Sequence, residues 1–230
     1  MIRRIISCIP NSITCLNLLS GCMAIIMAFH YSKTMSGLTG AQWTCIFIGL
    51  AAIFDFCDGA SARLLHAYSD TGKELDSLAD LVSFGVAPAM LIFNLMHAYS
   101  NYDWLCYAAL FIPAMGALRL ARFNVDDSQA TTFKGLPIPG NAIFWIGVYG
   151  YGYPGTAAMV IMIVLVSLAM VSNIKMFSLK FKNFDIRENF RRYVIILATI
   201  AFVVFYGLSG LAWTIVLYML ISVMSRRKDI

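Results

Sequence analysis

Four aspartates, Asp55, Asp58, Asp76 and Asp80, stand among residues that are otherwise mostly apolar or small. A carboxylate at mid-bilayer costs on the order of 2.5–3.5 kcal/mol by insertion scales, so four of them in membrane-like sequence need a purpose. At about 100° per residue, Asp55 and Asp58 fall within roughly 60° of each other around a helix, and Asp76 and Asp80 within roughly 40°. Each pair therefore gives its helix one acidic face. Converging carboxylates cannot all stay ionised without counter-charge, because each raises its neighbours' affinity for protons. Divalent cations meet that need. An all-oxygen ligand set points to Mg²⁺ or Mn²⁺ rather than zinc, and two such ions would balance four negative charges. The chemistry this suggests is phosphoryl-group transfer at a two-metal site.

Gly59, Ala60, Ser61, Ala62 and Arg63 follow the first acidic pair. Small residues in a span commonly serve helix packing, but they also let a bulky ligand approach the backbone, and an arginine fork can hold a phosphate. Cys57 points about 160° away from Asp55, and His66 falls in a loop, so neither suits the ligand set. The six cysteines, at 8, 15, 22, 45, 57 and 106, show no metal-ligand or disulfide spacing and are expected to be free thiols.

The elements that must carry these residues are membrane helices. The 230-residue chain is 60% hydrophobic and only 13% charged, which excludes a soluble domain of ordinary composition. The expected fold is a single all-α polytopic membrane domain over 1–230. Eight spans are predicted, at 12–31, 41–64, 73–98, 103–123, 138–153, 156–173, 191–207 and 209–225. Breaks are expected at Gly37, Gly72, Tyr102, Gly135, Pro154, Asn183 and Gly207. Residues 138–173 suit either two spans or one kinked helix, and the Gly-Tyr-Pro-Gly sequence at 152–155 favours a turn. Arg3 and Arg4 ahead of Ile5, Ile6 and Ile9 suggest an interfacial segment that stops at Pro10. With both termini cytoplasmic, sixteen of the 17 basic residues lie on the inner side and only Lys33 lies outside. The sparse, dispersed charge of +5 thus reflects topology, and no nucleic-acid partner is expected. Leu19-Ser20-Gly21-Cys22 resembles a lipoprotein cleavage site, but the apolar run continues past it, as a span should.

If Arg63 and Gly72 mark the cytoplasmic ends of a hairpin, Asp55 and Asp80 each lie about 12 Å in, at roughly 1.5 Å per residue. Asp58 and Asp76 lie about 6–8 Å in by the same rise. The expectation is a two-tier pocket, with Asp55 and Asp80 deep and Asp58 and Asp76 nearer the surface.

Residues 55–80 read DFCDGASARLLHAYSDTGKELDSLAD. This segment matches DxxDGxxARx8GxxxDxxxD, and through it the chain resembles the CDP-alcohol phosphatidyltransferases at every fixed position. PNSITCLNLLSG at 10–21 resembles the opening segment of these enzymes; RLARFN at 119–124 and GLPIP at 135–139 resemble the phosphatidylserine synthase branch. The resemblance implies that Asp55, Asp58 and Asp76 hold two metals, while Asp80 both touches metal and acts as the base. It implies CDP-lipid binding by Gly59 and Arg63, with Ser69, Thr14 and Asn17 as further contacts. The implied reaction is attack of an acceptor hydroxyl on the lipid-proximal phosphorus of CDP-diacylglycerol, releasing CMP. A homodimer in the cell (inner) membrane, with its active site facing the cytoplasm, is also implied.

The aspartate motif says nothing about the acceptor. Arg119 and Arg122, three apart and on one helix face, and Lys134 in the following loop could dock a carboxylate or simply anchor a helix end at the interface. Such a pocket disfavours choline but accepts glycerol 3-phosphate as readily as serine. Only the RLARFN and GLPIP resemblance favours L-serine over glycerol 3-phosphate or inositol. Buried acids also mark ion and proton transporters, but here spans two and three carry theirs only in the inner half.

Overall fold

The structure, a computed structural model, describes residues 2–125, 133–177 and 186–225. The expected break at Asn183 lies outside these. The described chain is helical throughout, apart from two short antiparallel strand pairs. The helices are α1 (Ile2–Phe29), α2 (Gly40–Leu64), α3 (Asp70–Asp80), α4 (Ala87–Tyr99), α5 (Asp103–Cys106), α6 (Phe111–Val125), α7 (Ile138–Tyr151), α8 (Thr156–Val171), α9 (Ile186–Tyr206) and α10 (Gly210–Ser225). Strands β1 (Thr34–Met35) and β2 (Leu38–Thr39) form one hairpin, while β3 (Phe133–Lys134) pairs with β4 (Lys175–Met176).

Among the described residues, five stretches are long and apolar enough to cross a membrane: Cys8–Phe29, Gly40–Leu64, Asp70–Tyr99, Asp103–Val125 and Asn189–Met224. The chain is thus an integral membrane protein by length and composition. Asn189–Met224 is not one straight rod. Gly207 adopts φ +60°, and α10 packs back against α9, with Gly210 against the Phe202 carbonyl. Residues 138–173 divide into α7 and α8 at a turn in which Gly152 and Gly155 take φ +99° and +106°. At 14 and 16 residues, these two helices are about 21 and 24 Å long, short of a hydrocarbon core of roughly 30 Å.

The N-terminus differs from expectation. Pro10 does not end a separate interfacial segment; α1 runs unbroken through it. Proline forfeits its own N–H bond and crowds the carbonyl of the preceding turn, yet the Pro10 carbonyl keeps an acceptor role, receiving the Thr14 hydroxyl at 3.0 Å. Beyond α1, the hairpin turns on Ser36 and Gly37, both at positive φ, as a two-residue turn between twisted strands demands. Thr39 then starts α2 with a reciprocal capping box to Gln42.

Asp70–Tyr99 is continuous but not uniform. Between α3 and α4, residues Leu81–Val86 form a π-helical turn, which begins immediately after Asp80. A π turn inserts a residue into the helical register and leaves backbone groups to be satisfied from elsewhere. Asn141 of α7 donates to the Phe84 carbonyl at 3.0 Å, and Trp145 steadies Asn141 through a 2.8 Å bond. All of these residues are fully buried.

Helix α1 packs against α2, α3, the π turn and α4, whereas α2 and α3 approach each other little. Helix α6 packs on the π turn and on α8. The β3–β4 pair ties the chain after α6 to the chain after α8, and Gly135 completes the tie at φ +74°, with its N–H on the Ile174 carbonyl at 2.8 Å. A Cβ at Gly135 would sit 2.2 Å from the Met170 carbonyl oxygen. Gly135→Ala is therefore expected to destabilise the protein by about 1–3 kcal/mol, read as a lowered thermal midpoint in detergent.

Candidate active site

Helix α2 brings Asp55 and Asp58 down one face, and α3 returns with Asp76 and Asp80. Leu65 and His66 end α2, with His66 at φ +50°. Ser69 restarts the chain as the α3 N-cap, its hydroxyl accepting from the Gly72 N–H at 3.0 Å. Because α2 and α3 are splayed while α1 touches both, the acids line a cleft whose back wall is α1.

Carboxylate oxygens of Asp55, Asp76 and Asp80 lie within 4.8 Å of one another, a grouping able to hold a metal ion. This grouping cuts across the expected tiers, because Asp76 joins Asp55 and Asp80. Asp58 stands beside the trio, buried, and its charge acts on both Asp76 and Asp80.

Metal chemistry fits these residues. Asp58 Oδ2 and Asp76 Oδ1 are buried without a hydrogen-bond partner among the described residues. A buried polar atom left unsatisfied costs about 1–3 kcal/mol, and a charged one more, so such atoms mark places prepared for a ligand. The donor set is oxygen only, as hard divalent cations prefer.

Two residues of α1 face the acids. The Thr14 hydroxyl has one proton and two acceptors in range, the Pro10 carbonyl and the Asp58 carboxylate. Asn17, fully buried, donates from Nδ2 to Asp80 Oδ1 at 3.3 Å. The sequence reading assigned both to the CDP-lipid; in the structure each stands against an aspartate. A Cβ at Gly59 would meet only Arg63 Nη1, in ordinary contact at 3.7 Å, and Arg63 itself is exposed.

Arg119, Arg122 and Lys134 come together in a cavity of about 690 Å³, which Met170, Ser172 and Asn173 also line. Arg119 is only 8% exposed, its Nε lacks a partner among the described residues, and its charge interacts with Asp80 and with Tyr218 of α10. Its guanidinium carbon lies 5.9 Å from the Phe123 ring centre. Arg122 donates to the Val171 carbonyl at 3.1 Å, joining α6 to the end of α8. The cavity is thus basic, and Arg119 connects it electrostatically to Asp80.

Sequence reasoning missed part of this surround. Asn124 bridges α6 to α3: its carbonyl accepts from Lys73 Nζ at 3.1 Å, and its amide donates to Ser77 Oγ at 3.0 Å and Glu74 Oε2 at 3.4 Å. Its place at the end of RLARFN was the available signal. Ser172 and Asn173 were missed as well; they are a polar pair closing an otherwise apolar helix.

The family model for CDP-alcohol phosphatidyltransferase matches residues 7–184 of this chain. The chain is 40% identical over 132 residues to a CDP-diacylglycerol–serine O-phosphatidyltransferase of Bacillus subtilis (strain 168), covering 57% of this chain and 69% of that protein. A protein of the same name from Methanocaldococcus jannaschii is 36% identical over 174 residues, 76% of this chain and 75% of that one. Another, from Helicobacter pylori (strain J99), is 31% identical over 228 residues, 93% and 89% of the two chains.

Replacing Asp76 by Asn removes a charged oxygen from the trio and keeps its shape. Mn²⁺ affinity, followed by electron paramagnetic resonance, is expected to fall by at least about tenfold, since losing partners only one layer further out already costs 10–100-fold.

Proposed function

The chain belongs to the CDP-alcohol phosphatidyltransferase family and is an enzyme of phosphatidyl transfer, and from that premise we propose that it moves the phosphatidyl group of CDP-diacylglycerol onto the hydroxyl of L-serine, giving phosphatidylserine and CMP. The observation that carries the reading is the group of Asp55, Asp76 and Asp80, with Asp58 beside it, in a cleft open between two helices. The names of the relatives support serine as the acceptor. So does a basic cavity joined electrostatically to Asp80 through Arg119, since serine is an alcohol that brings its own carboxylate.

All four aspartates are assigned as ligands of two divalent cations, Mg²⁺ or Mn²⁺. When bound, such ions would neutralise the diphosphate and stabilise the departing CMP. The protein's own groups divide the remaining work. Gly59 leaves room for the cytidine diphosphate, Arg63 adds a fixed cation at the cleft mouth, and Ser69 stands at the loop beside them. Arg119, Arg122 and Lys134 orient the acceptor carboxylate. Asp80 takes the proton as the serine oxygen bonds to the lipid-proximal phosphorus; the phosphorus–oxygen bond to CMP breaks, and CMP leaves with that electron pair. The lipid's tails stay in hydrocarbon, while its phosphates reach the acids from the headgroup boundary.

The same reading takes α1 to α10 as eight spans with both termini cytoplasmic, in the cell (inner) membrane, and the active chain as a homodimer. The concentration of basic residues on alternate loops supports this orientation.

Purified protein supplied with CDP-diacylglycerol, Mn²⁺ or Mg²⁺, and separately labelled serine, glycerol 3-phosphate or inositol is expected to yield labelled lipid from serine alone. Lipid formed only from another acceptor would overturn the serine assignment and leave the phosphatidyl transfer standing. Asp80→Asn is expected to lower kcat by about 10²–10⁴-fold. Arg119→Ala is expected to raise the serine KM by about tenfold or more, as loss of a charge-assisted contact does, with the KM for CDP-diacylglycerol unchanged.

A further inference from the structure

We infer that Asn17 is a positioning residue for Asp80: it holds the carboxylate that takes the acceptor's proton. The inference rests on the assignment of Asp80 as the base.

Three observations converge on Asn17. It is fully buried at the middle of α1, in a chain where a buried amide needs a reason. Its Nδ2 donates to Asp80 Oδ1 at 3.3 Å, a neutral donor on a carboxylate that also meets three like charges, Asp55, Asp76 and Asp58, and the cation of Arg119. Its backbone is fastened in turn, because the buried Ser83 hydroxyl donates to the Asn17 carbonyl at 3.0 Å. Ser83 lies in the π turn that starts directly after Asp80, so the same α1 residue grips the carboxylate and the segment that aims it.

The fit around this grip is close. Gly21, one turn beyond Asn17, lies so near the π turn that a Cβ there would stand 2.4 Å from Ser83 Oγ. A neutral donor suits the task better than a lysine or arginine. It restricts one oxygen of Asp80 without neutralising the charge that makes it a base, and it leaves the second oxygen for its other partners. Asn17 Oδ1 remains buried without a partner among the described residues, so the amide is not held by a competing bond.

Asn17→Leu tests this with a residue that branches at the same carbon, though it is larger, and that is at home in a membrane helix. The variant, assayed as full-length protein with CDP-diacylglycerol and serine at saturating Mn²⁺, is expected to lose kcat by about tenfold or more, the worth of a hydrogen bond to a charged group. Both KM values and the Mn²⁺ dissociation constant from electron paramagnetic resonance are expected to stay within about threefold, since the change acts on the chemical step alone. Ser83→Ala, which loosens the same grip from the other side, is expected to lower kcat by about threefold and serves as the test if the leucine variant does not fold. An unchanged kcat would overturn the inference. So would a raised KM for CDP-diacylglycerol with kcat intact, or a kcat loss matched by lost Mn²⁺ affinity. Activity surviving in Asp80→Asn would instead remove the base assignment beneath it, a separate outcome.

Discussion

Mutual repulsion among carboxylates, held where water cannot screen them, is the constraint around which this molecule is built. Asp80 faces the charges of Asp55, Asp76 and Asp58 in a cleft between two membrane helices. Such a cluster pushes its own helices apart unless something outside the pair holds them. Helix α1 does so: it packs on α2, α3 and the π turn, while α2 and α3 make little contact with each other. Fixing both walls to a third helix sets their separation, and with it the width of the cleft.

The second consequence is directional. The π turn after Asp80 costs helical regularity inside the protein, and Asn141, Trp145 and Ser83 absorb that cost with buried bonds. Irregular backbone within a span is tolerated only where protein satisfies it. Its place directly beyond Asp80 connects the departure from regularity with the site. Arg119 extends the electrostatic frame toward the basic cavity, and Asn124 ties that cavity's helix to the helix bearing Asp76 and Asp80. The positions of the acids and of the basic pocket are therefore not independent.

Much of this was legible from residue order, and the reasons are local. Helix positions followed from apolar length, because a span must satisfy its backbone internally; α2, α4, α6 and α8 end within a few residues of expectation. The acidic faces followed from the helical period. The Gly-Tyr-Pro-Gly turn settled into two helices because two of its glycines take positive φ. Pro10 misled, since a proline within a membrane helix surrenders a single bond and α1 continues through it.

What the sequence determined by itself was chemistry carried by types and spacings: four carboxylates on two helices, an arginine following the first pair, and a family motif. What only tertiary structure decided was which groups meet. Oxygens of Asp55, Asp76 and Asp80 converge to within 4.8 Å across the two expected tiers, and that convergence depends on how α2 and α3 are set against α1. Asn17 stands against Asp80, 63 residues away, and Arg119 senses the same carboxylate from α6. Contacts between distant segments depend on how helices pack around a shared spine, and no period within one helix encodes that.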